Sequence, residues 1–414
     1  MSFSKFQLGI YQIILLSSRA IGFARDFFVL LLVGATALAD DTFFLLAFSD
    51  VVMAFIAGGG AALYLVGKYS EKKASPIDSY YWSATTLYVV IAMVIIVIEV
   101  LFGQPLGNIF YNGLGENESL TSAYKVSLLA ILLGLPIVSA NAVFLFKDKI
   151  YLQPAMNILF TLALIAALSV AFIKGFDIKY AAYCILVAAF IRYVCALAIS
   201  KKNIGLRLRN ISFIKEKAFY KELLLAGLGI GFLILIPFIF RSELTQFGEG
   251  IYVVAALSFK VNDLAMALFI IPVTSLILKN SDITSQKIKK LIVILLAILI
   301  AGVSLEMLLL YINQQYLHIV EINDMQLDVI QYSLTYIICA AFAYVVSMVF
   351  VRKNLMSLVN ISSLLALVFL VIAKDMSSYD NIVEYYGILY STFTIYMLLL
   401  VSLYGIRKWY LSKA

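Results

Sequence analysis

Long apolar runs separated by short polar segments dominate the chain. Each run holds about 20 residues, the length that an α-helix needs to cross the hydrocarbon core of a bilayer. A backbone in lipid must satisfy its own hydrogen bonds, and runs of this length predict helices and not the short alternating strands of a porin-like barrel. We predict about twelve spans. They cover residues 8–33, 42–66, 83–110, 124–146, 154–173, 180–199, 219–240, 250–278, 291–312, 329–351, 354–373 and 383–406.

Composition supports an all-α integral membrane protein. The 414 residues are 63% hydrophobic and 13% charged, whereas a soluble domain carries about 25% charged residues. The formal net charge is +7, but most Lys and Arg residues lie in alternate loops, as in cytoplasmic loops of membrane proteins. This distribution argues against nucleic-acid binding and places both termini in the cytoplasm. The basic segments are 68–73, 147–149, 201–221, 279–290, 352–353 and 407–413.

The chain divides into two halves with the same number of predicted spans. The longest internal polar stretch, 200–217, follows the sixth span, so we predict an N-terminal six-helix bundle at 1–205 and a C-terminal six-helix bundle at 206–414. The second span of each half carries the pattern D-x-x-M-A, at Asp50 and at Asp263. This match suggests a parallel repeat and therefore two pseudo-symmetric bundles around a central cavity, an arrangement typical of transporters.

Charged residues recur inside the apolar runs, where each costs about 2.5–3.5 kcal/mol on insertion scales. They are Arg19, Arg25, Asp26, Asp50, Glu99, Arg192, Lys260, Asp263 and Glu306. A hydrated cavity would accommodate them better than lipid. The cations Arg19, Arg25 and Lys260 suit a diphosphate. The carboxylates would pair with them or bind Na⁺ or H⁺ as the coupling ion, and these residues are Asp26, Asp50, Asp263, Glu99 and Glu306. Buried pairs that only fix helix packing remain an alternative.

No arrangement for catalysis is evident in the sequence. There is no Ser-His-Asp set, no HExxH and no Walker A motif, so we predict a transporter and not an enzyme. The glycines at 58–60 have no preceding strand and predict close helix packing or a bend. Cys184, Cys195 and Cys339 fall inside apolar runs and His318 has no nearby partners, so we predict no metal site, no disulfide and no cofactor other than the coupling ion.

The first two spans resemble the opening of the MurJ-like lipid II flippases. Residues 18–26 read SRAIGFARD, Gly34-Ala35 follows, and residues 39–48 read ADDTFFLLAF. Asp50 followed by Gly58-Gly59, and the eighth span from Lys260 to Pro272, are similar to later parts of that family. The resemblance implies the multidrug/oligosaccharidyl-lipid/polysaccharide flippase superfamily. It makes Arg19, Arg25 and Asp26 cavity residues and places Lys260 where the relatives carry a basic residue.

The resemblance implies a flippase of the bacterial cytoplasmic membrane that moves a polyprenyl-diphosphate-linked saccharide for surface polysaccharide or peptidoglycan synthesis. Its partners would be this substrate, membrane lipids and glycan polymerase machinery. The chain departs from the MurJ pattern in having about twelve spans instead of fourteen and in carrying Ala54-Phe55 near the place of paired arginines. Twelve spans resemble Wzx-type flippases more closely. A Na⁺- or H⁺-coupled multidrug antiporter of the same superfamily and a non-transporting scaffold for glycan assembly remain alternatives.

Overall fold

The computed structural model of the chain is built from α-helices. It describes residues 5–57, 59–70, 77–206, 213–228, 231–265, 304, 323–352, 355–376 and 381–413. Within these ranges the regular structure consists of α-helices and two short 3₁₀ turns. The prediction of an all-α membrane fold is confirmed.

The described residues divide into two compact units, 1–238 and 239–414, here called the N-terminal and C-terminal units. The predicted domain division at 205/206 stays a prediction. The helices that lie wholly in the N-terminal unit are α1 Lys5–Val33, α2 Ala37–Ala57, α3 Gly59–Ser70, α4 Ile77–Leu101, α5 Pro105–Phe110, α6 Glu118–Gly134, α7 Ile137–Phe146, α8 Leu152–Ile173, α9 Ile178–Ile204 and α10 Lys217–Leu228.

Helix α11, Gly231–Arg241, contains the unit boundary, and the other helices that the structure describes belong to the C-terminal unit. They are α12 Ile251–Ala265, α13 Asp324–Arg352, α14 Met356–Met376 and α15 Ile382–Lys413. Tyrosines form much of the buried centre of this unit, where Tyr252, Tyr386 and Tyr396 are almost fully buried. The hydroxyl of Tyr390 donates to the carbonyl of Tyr332 at 2.7 Å, so this hydroxyl has a hydrogen-bond partner among apolar helices.

Most predicted spans coincide with described helices. Among the described residues, seven segments are long and apolar enough to cross a membrane, and they lie in α4, in α6 with α7, and in α8, α9, α13, α14 and α15. Helices α1 and α2 have 29 and 21 residues and carry several of the charged residues named above. The predicted ninth span, 291–312, lies outside the described residues apart from Ser304.

The third predicted span, 83–110, extends past the end of helix α4 and includes the separate short helix α5. Helix α4 ends at Leu101, and Gly103 and Gln104 follow with φ values of 74° and 60°. These left-handed residues cannot continue an α-helix. Pro105, which has no N–H to donate, then begins the separate helix α5. The membrane segment therefore ends about nine residues earlier than the apolar pattern alone indicated.

Two other predicted spans are each built from two helices. Pro136 lies between α6 and α7 and divides the fourth predicted span into two helices. Its ring removes one backbone donor. The turn is closed by hydrogen bonds that span three residues instead of four, such as Val138 N to the Leu135 carbonyl at 3.2 Å. The second span consists of α2, which ends at Ala57, and α3, which begins at Gly59.

Helix α10 packs against α2, α3 and α4 within the N-terminal unit. The ring of Phe219 packs against Tyr64 and Tyr80, and the Tyr64 hydroxyl donates to Glu222 at 2.8 Å. At Gly227 the two backbones approach so closely that an added Cβ would lie 2.2 Å from the carbonyl oxygen of Ile56. Glycine is therefore required at this contact because the obstructing atom belongs to the backbone.

We expect Gly227→Ala to lower the thermal unfolding temperature of the purified protein by several degrees. The added methyl must separate α10 from α2, and overpacking of this kind costs about 1–3 kcal/mol. Gly67→Ala in α3 is the matched control, because nothing lies within 4 Å of its Cβ position and alanine favours a helix by about 0.5–1 kcal/mol. Equal melting temperatures for the two variants would contradict the close contact.

Candidate functional site

Arg25 and Asp26 form a buried ion pair on α1. The Nε and Nη2 atoms of Arg25 each lie 2.7 Å from the same carboxylate oxygen of Asp26. The two side chains are 6% and 0% exposed. Neighbouring residues on a helix usually point in different directions, so the long arginine side chain folds back to reach its neighbour. The structure therefore brings together two of the predicted site residues.

Arg19 lies on the exposed surface of the same helix. It precedes Arg25 by six residues, which is about 9 Å along a helix axis. Arg25 belongs to the buried ion pair, whereas Arg19 is a separate, exposed residue. An exposed guanidinium at membrane depth requires water or an anionic partner. Because Arg19 is exposed and Arg25 is buried, Arg19 is the more accessible of the two arginines for an anionic ligand.

Asp50 and Arg192 lie on different helices of the N-terminal unit. Asp50 is exposed on α2, and Arg192 is buried on α9. The Nη2 of Arg192 lies 3.7 Å from the sulfur of Met53, which follows Asp50 by three residues on α2. The sequence singled out both residues as charges at membrane depth but assigned no role to Arg192. The contact between Arg192 and α2 depends on how α2 packs against α9, which the sequence pattern does not contain.

Glu99 has a structural function that the sequence did not predict. It is fully buried at the end of α4 and accepts hydrogen bonds from Leu106 N at 2.8 Å, Gly107 N at 3.1 Å and the Tyr124 hydroxyl at 2.6 Å. The two amides belong to the first turn of α5, whose N–H groups have no partner within the helix. Glu99 thus holds α5 against α4 and α6, and its predicted role in ion coupling or cavity pairing stays a prediction.

The predicted residues of the C-terminal unit lie on or beyond α12. Lys260 is half-buried there, and Asp263 follows it by one turn. Between them the buried Asn262 donates to the carbonyl of Ser333 at 2.7 Å and so joins α12 to α13. Glu306 lies outside the described residues, as does Met266 of the D-x-x-M-A pattern. The convergence of Lys260 with Arg19 and Arg25 on one chamber stays a prediction.

Sequence reasoning missed a group of charges at the end of α11. Arg241 is 3% exposed, and its guanidinium carbon lies 5.6 Å from the ring centre of Tyr252 and 5.5 Å from that of Phe259. Lys374 contacts Glu243 at 2.8 Å and also donates to Ser242. The sequence places Arg241 at the edge of an apolar run, where a loop residue is expected. The tyrosines and phenylalanines that enclose it are ordinary features of a membrane span.

No protein-family model and no curated protein sequence matches the chain. Among solved structures, the lipid II flippase MurJ in an inward closed conformation matches with a TM-score of 0.72 and 13% identity, over 96% of this chain and 87% of that chain. A multidrug resistance MATE family transporter of the MOP superfamily matches in its inward-facing conformation with a TM-score of 0.66 and 14% identity, over 96% and 98% of the two chains.

The outward-facing conformation of a MATE family transporter of the MOP superfamily also matches, with a TM-score of 0.64 and 14% identity over 100% of both chains. The likeness extends over nearly the whole chain in each case, while the sequences share few identical residues. The chain is thus a multi-pass membrane protein with the fold that the lipid II flippase MurJ and the MATE transporters share.

Proposed function

We propose that the chain is a flippase that moves a polyprenyl-diphosphate-linked saccharide across the bacterial cytoplasmic membrane by alternating access. The main support for this proposal comes from α1. This helix carries an exposed arginine and a buried Arg–Asp pair, and the chain has the fold of MurJ. A diphosphate carries at least two negative charges, and guanidinium groups bind phosphate oxygens in a bidentate geometry. The saccharide would serve surface polysaccharide or peptidoglycan synthesis.

In this proposal each charged residue has one task. Arg19 and Lys260 bind the diphosphate directly, and Arg25 reaches it through the part of its guanidinium that Asp26 does not hold. The polyprenyl tail stays in the lipid, so only the charged headgroup and the sugar need a polar path. Asp50, Asp263 and Glu306 respond to Na⁺, H⁺ or the membrane potential, which acts with about 2.3 kcal/mol per charge per 100 mV.

The fold also supports a second candidate, a Na⁺- or H⁺-coupled multidrug antiporter. Two conformations of MATE family transporters match over nearly the full chain. In such a protein the carboxylates of Asp26, Asp50 or Asp263 would attract a cationic drug, and the basic residues would have no substrate to bind. The two candidates therefore differ in which sign of charge is required for transport.

Reconstitution into proteoliposomes distinguishes the two candidates. We expect the wild-type protein to transfer a fluorescent polyprenyl-diphosphate-linked saccharide between leaflets and not to expel ethidium. Arg19→Ala and Lys260→Ala should each lower the transfer rate about tenfold or more, since a charged hydrogen bond contributes about 1.5–3 kcal/mol. Lys174→Ala, at an exposed cation just after α8, is the control and should transfer at the wild-type rate.

Unchanged transfer in both Arg19→Ala and Lys260→Ala would overturn the assignment of the phosphate-binding residues. Ethidium efflux that Asp50→Asn abolishes, together with no lipid transfer, would favour the antiporter.

A further inference from the structure

The chain that leads into α10 is anchored to the N-terminal unit at Ile214. Its N–H donates to the Ser83 hydroxyl of α4 at 2.8 Å, and its carbonyl accepts from the Tyr220 hydroxyl of α10 at 2.6 Å. The Ile214 side chain is 8% exposed and Ser83 is fully buried. Both backbone polar groups of Ile214 therefore have partners, and residues 213–216 are held in place although they form no helix or strand.

On either side of this anchor the chain presents an aromatic ring and several lysines at the surface. Phe213 is 50% exposed, and Lys215 and Lys217 are exposed as well. Lys221 is also exposed and follows Lys217 by one turn of α10, so the two side chains share a face of the helix. Residues 213–221, here called the α10 entry segment, thus combine one apolar group with three cations.

The α10 entry segment lies at one face of the membrane. Helix α9 is long and apolar enough to cross a bilayer, and its last turn carries the exposed Lys201 and Lys202. Only a short polar stretch joins α9 to α10, so the segment lies on the face where α9 ends. Aromatic rings and lysines together are typical of the boundary between headgroups and acyl chains. The sequence predicts that this face is cytoplasmic, where membrane lipids carry negative charge.

Two carboxylates lie among these lysines without cancelling their charge. Glu222 accepts a hydrogen bond from the Tyr64 hydroxyl of α3 at 2.8 Å, so one of its oxygens is directed toward the protein. Glu216 is exposed. Together with Lys201 and Lys202, the lysines of the segment outnumber the two carboxylates. The net field of this surface is therefore positive and suits an anion.

We propose that the α10 entry segment binds an anionic phospholipid, with its lysines at the headgroup phosphate and Phe213 beside the acyl chains. A lipid suits the segment better than an acidic protein partner, because the segment leads directly into helices within the bilayer. Each lysine near the surface favours an anionic over a zwitterionic lipid by about fivefold. The bound lipid holds the start of α10 at the membrane surface, and α10 packs against α2, α3 and α4.

Quenching of tryptophan fluorescence by brominated lipids measures which lipid contacts position 213. Phe213→Trp is introduced into the full-length chain together with Trp82→Phe and Trp409→Phe, so that one fluorophore remains. Nanodiscs of phosphatidylcholine receive increasing fractions of brominated phosphatidylglycerol or brominated phosphatidylcholine. We expect phosphatidylglycerol to reach half-maximal quenching at a mole fraction lower by about fivefold or more. Salt at about 1 M should remove this preference because it screens charges beyond about 3 Å.

Lysine variants in the same background test the source of the preference. Lys215→Gln/Lys217→Gln should remove most of it. The matched control Lys174→Gln/Lys179→Gln removes two exposed lysines near the turn between α8 and α9 and should leave the preference unchanged. Melting temperatures of the chain without the tryptophan substitutions provide a second measurement. Phosphatidylglycerol should raise the melting temperature in nanodiscs, and Lys215→Gln/Lys217→Gln should remove most of this increase.

Val90→Trp, at an exposed apolar position of α4, reports on unselective lipid contact and should be quenched equally by both lipids. Equal quenching at position 213, or a preference that survives Lys215→Gln/Lys217→Gln, would overturn the inference. Absence of quenching by either lipid would also overturn it and would favour a protein partner at this surface. None of these outcomes depends on whether the chain translocates a lipid-linked saccharide.

Discussion

Arg25→Met is expected to abolish translocation of the lipid-linked saccharide and to destabilise the protein. The substitution leaves the carboxylate of Asp26, which is fully buried, without its guanidinium partner at 2.7 Å. Breaking a buried ion pair from one side costs about 3–5 kcal/mol. Thermal unfolding in detergent measures the loss of stability, and the proteoliposome assay measures the transfer rate.

A matched set of variants separates the two effects. Arg19→Met removes an exposed arginine from the same helix, so the melting temperature should stay close to that of the wild type while transfer falls. Arg25→Met/Asp26→Asn removes both charges of the pair and should recover much of the stability without recovering transfer. If this double variant transfers lipid at the wild-type rate, the pair only fixes helix packing and takes no part in binding the diphosphate.

Apart from changes to the Arg25–Asp26 pair, Glu99→Ala is expected to cause the largest loss of stability. It removes the acceptor of three hydrogen bonds, from two backbone amides of α5 and from Tyr124. A hydrogen bond to a charged group contributes about 1.5–3 kcal/mol, and two of the donors left behind, Gly107 and Tyr124, are buried. Tyr124→Phe removes one of the three bonds and should lower the melting temperature by less.

Glu99→Gln provides the control for charge. It keeps the shape and one acceptor oxygen, so its melting temperature should lie between those of the wild type and Glu99→Ala. The transfer rate per folded molecule should be unchanged in Glu99→Gln because the structure gives this carboxylate a packing role. A stable Glu99→Gln variant that fails to transfer lipid would instead assign Glu99 to ion coupling, as the sequence predicted.

The membrane fold could be predicted from the sequence because span length is set by bilayer thickness, and residue composition reports directly on burial in lipid. The end of α4 was missed because the apolar residues Phe102, Leu106, Ile109 and Phe110 continue beyond Leu101. Only the left-handed backbone of Gly103 and Gln104 separates the two segments, and Pro105 was the one sequence signal of a new helix start.

The candidate site could be predicted only as a set of charged residues. A charge at membrane depth is evident in a sequence because it is costly, and this criterion found Arg25, Asp26, Asp50 and Arg192. Which of them pair depends on tertiary packing. Arg25 pairs with its neighbour in sequence, whereas Arg192 contacts Met53 and Asn157 on two other helices. The same packing makes Glu99 an acceptor for α5 and hides Arg241 among aromatic rings.

The flippase proposal requires that Arg19 and Lys260 face one water-filled chamber. Thiol accessibility measures this in a chain with Cys184→Ala, Cys195→Ala and Cys339→Ala, into which Arg19→Cys or Lys260→Cys is introduced. Val90→Cys, at an exposed apolar position of α4, is the lipid-facing control. A charged, membrane-impermeant thiol reagent should modify positions 19 and 260 but not 90, and a diphosphate-linked saccharide should protect both. Modification of 19 and 260 only by a lipophilic reagent, as at position 90, would contradict the account.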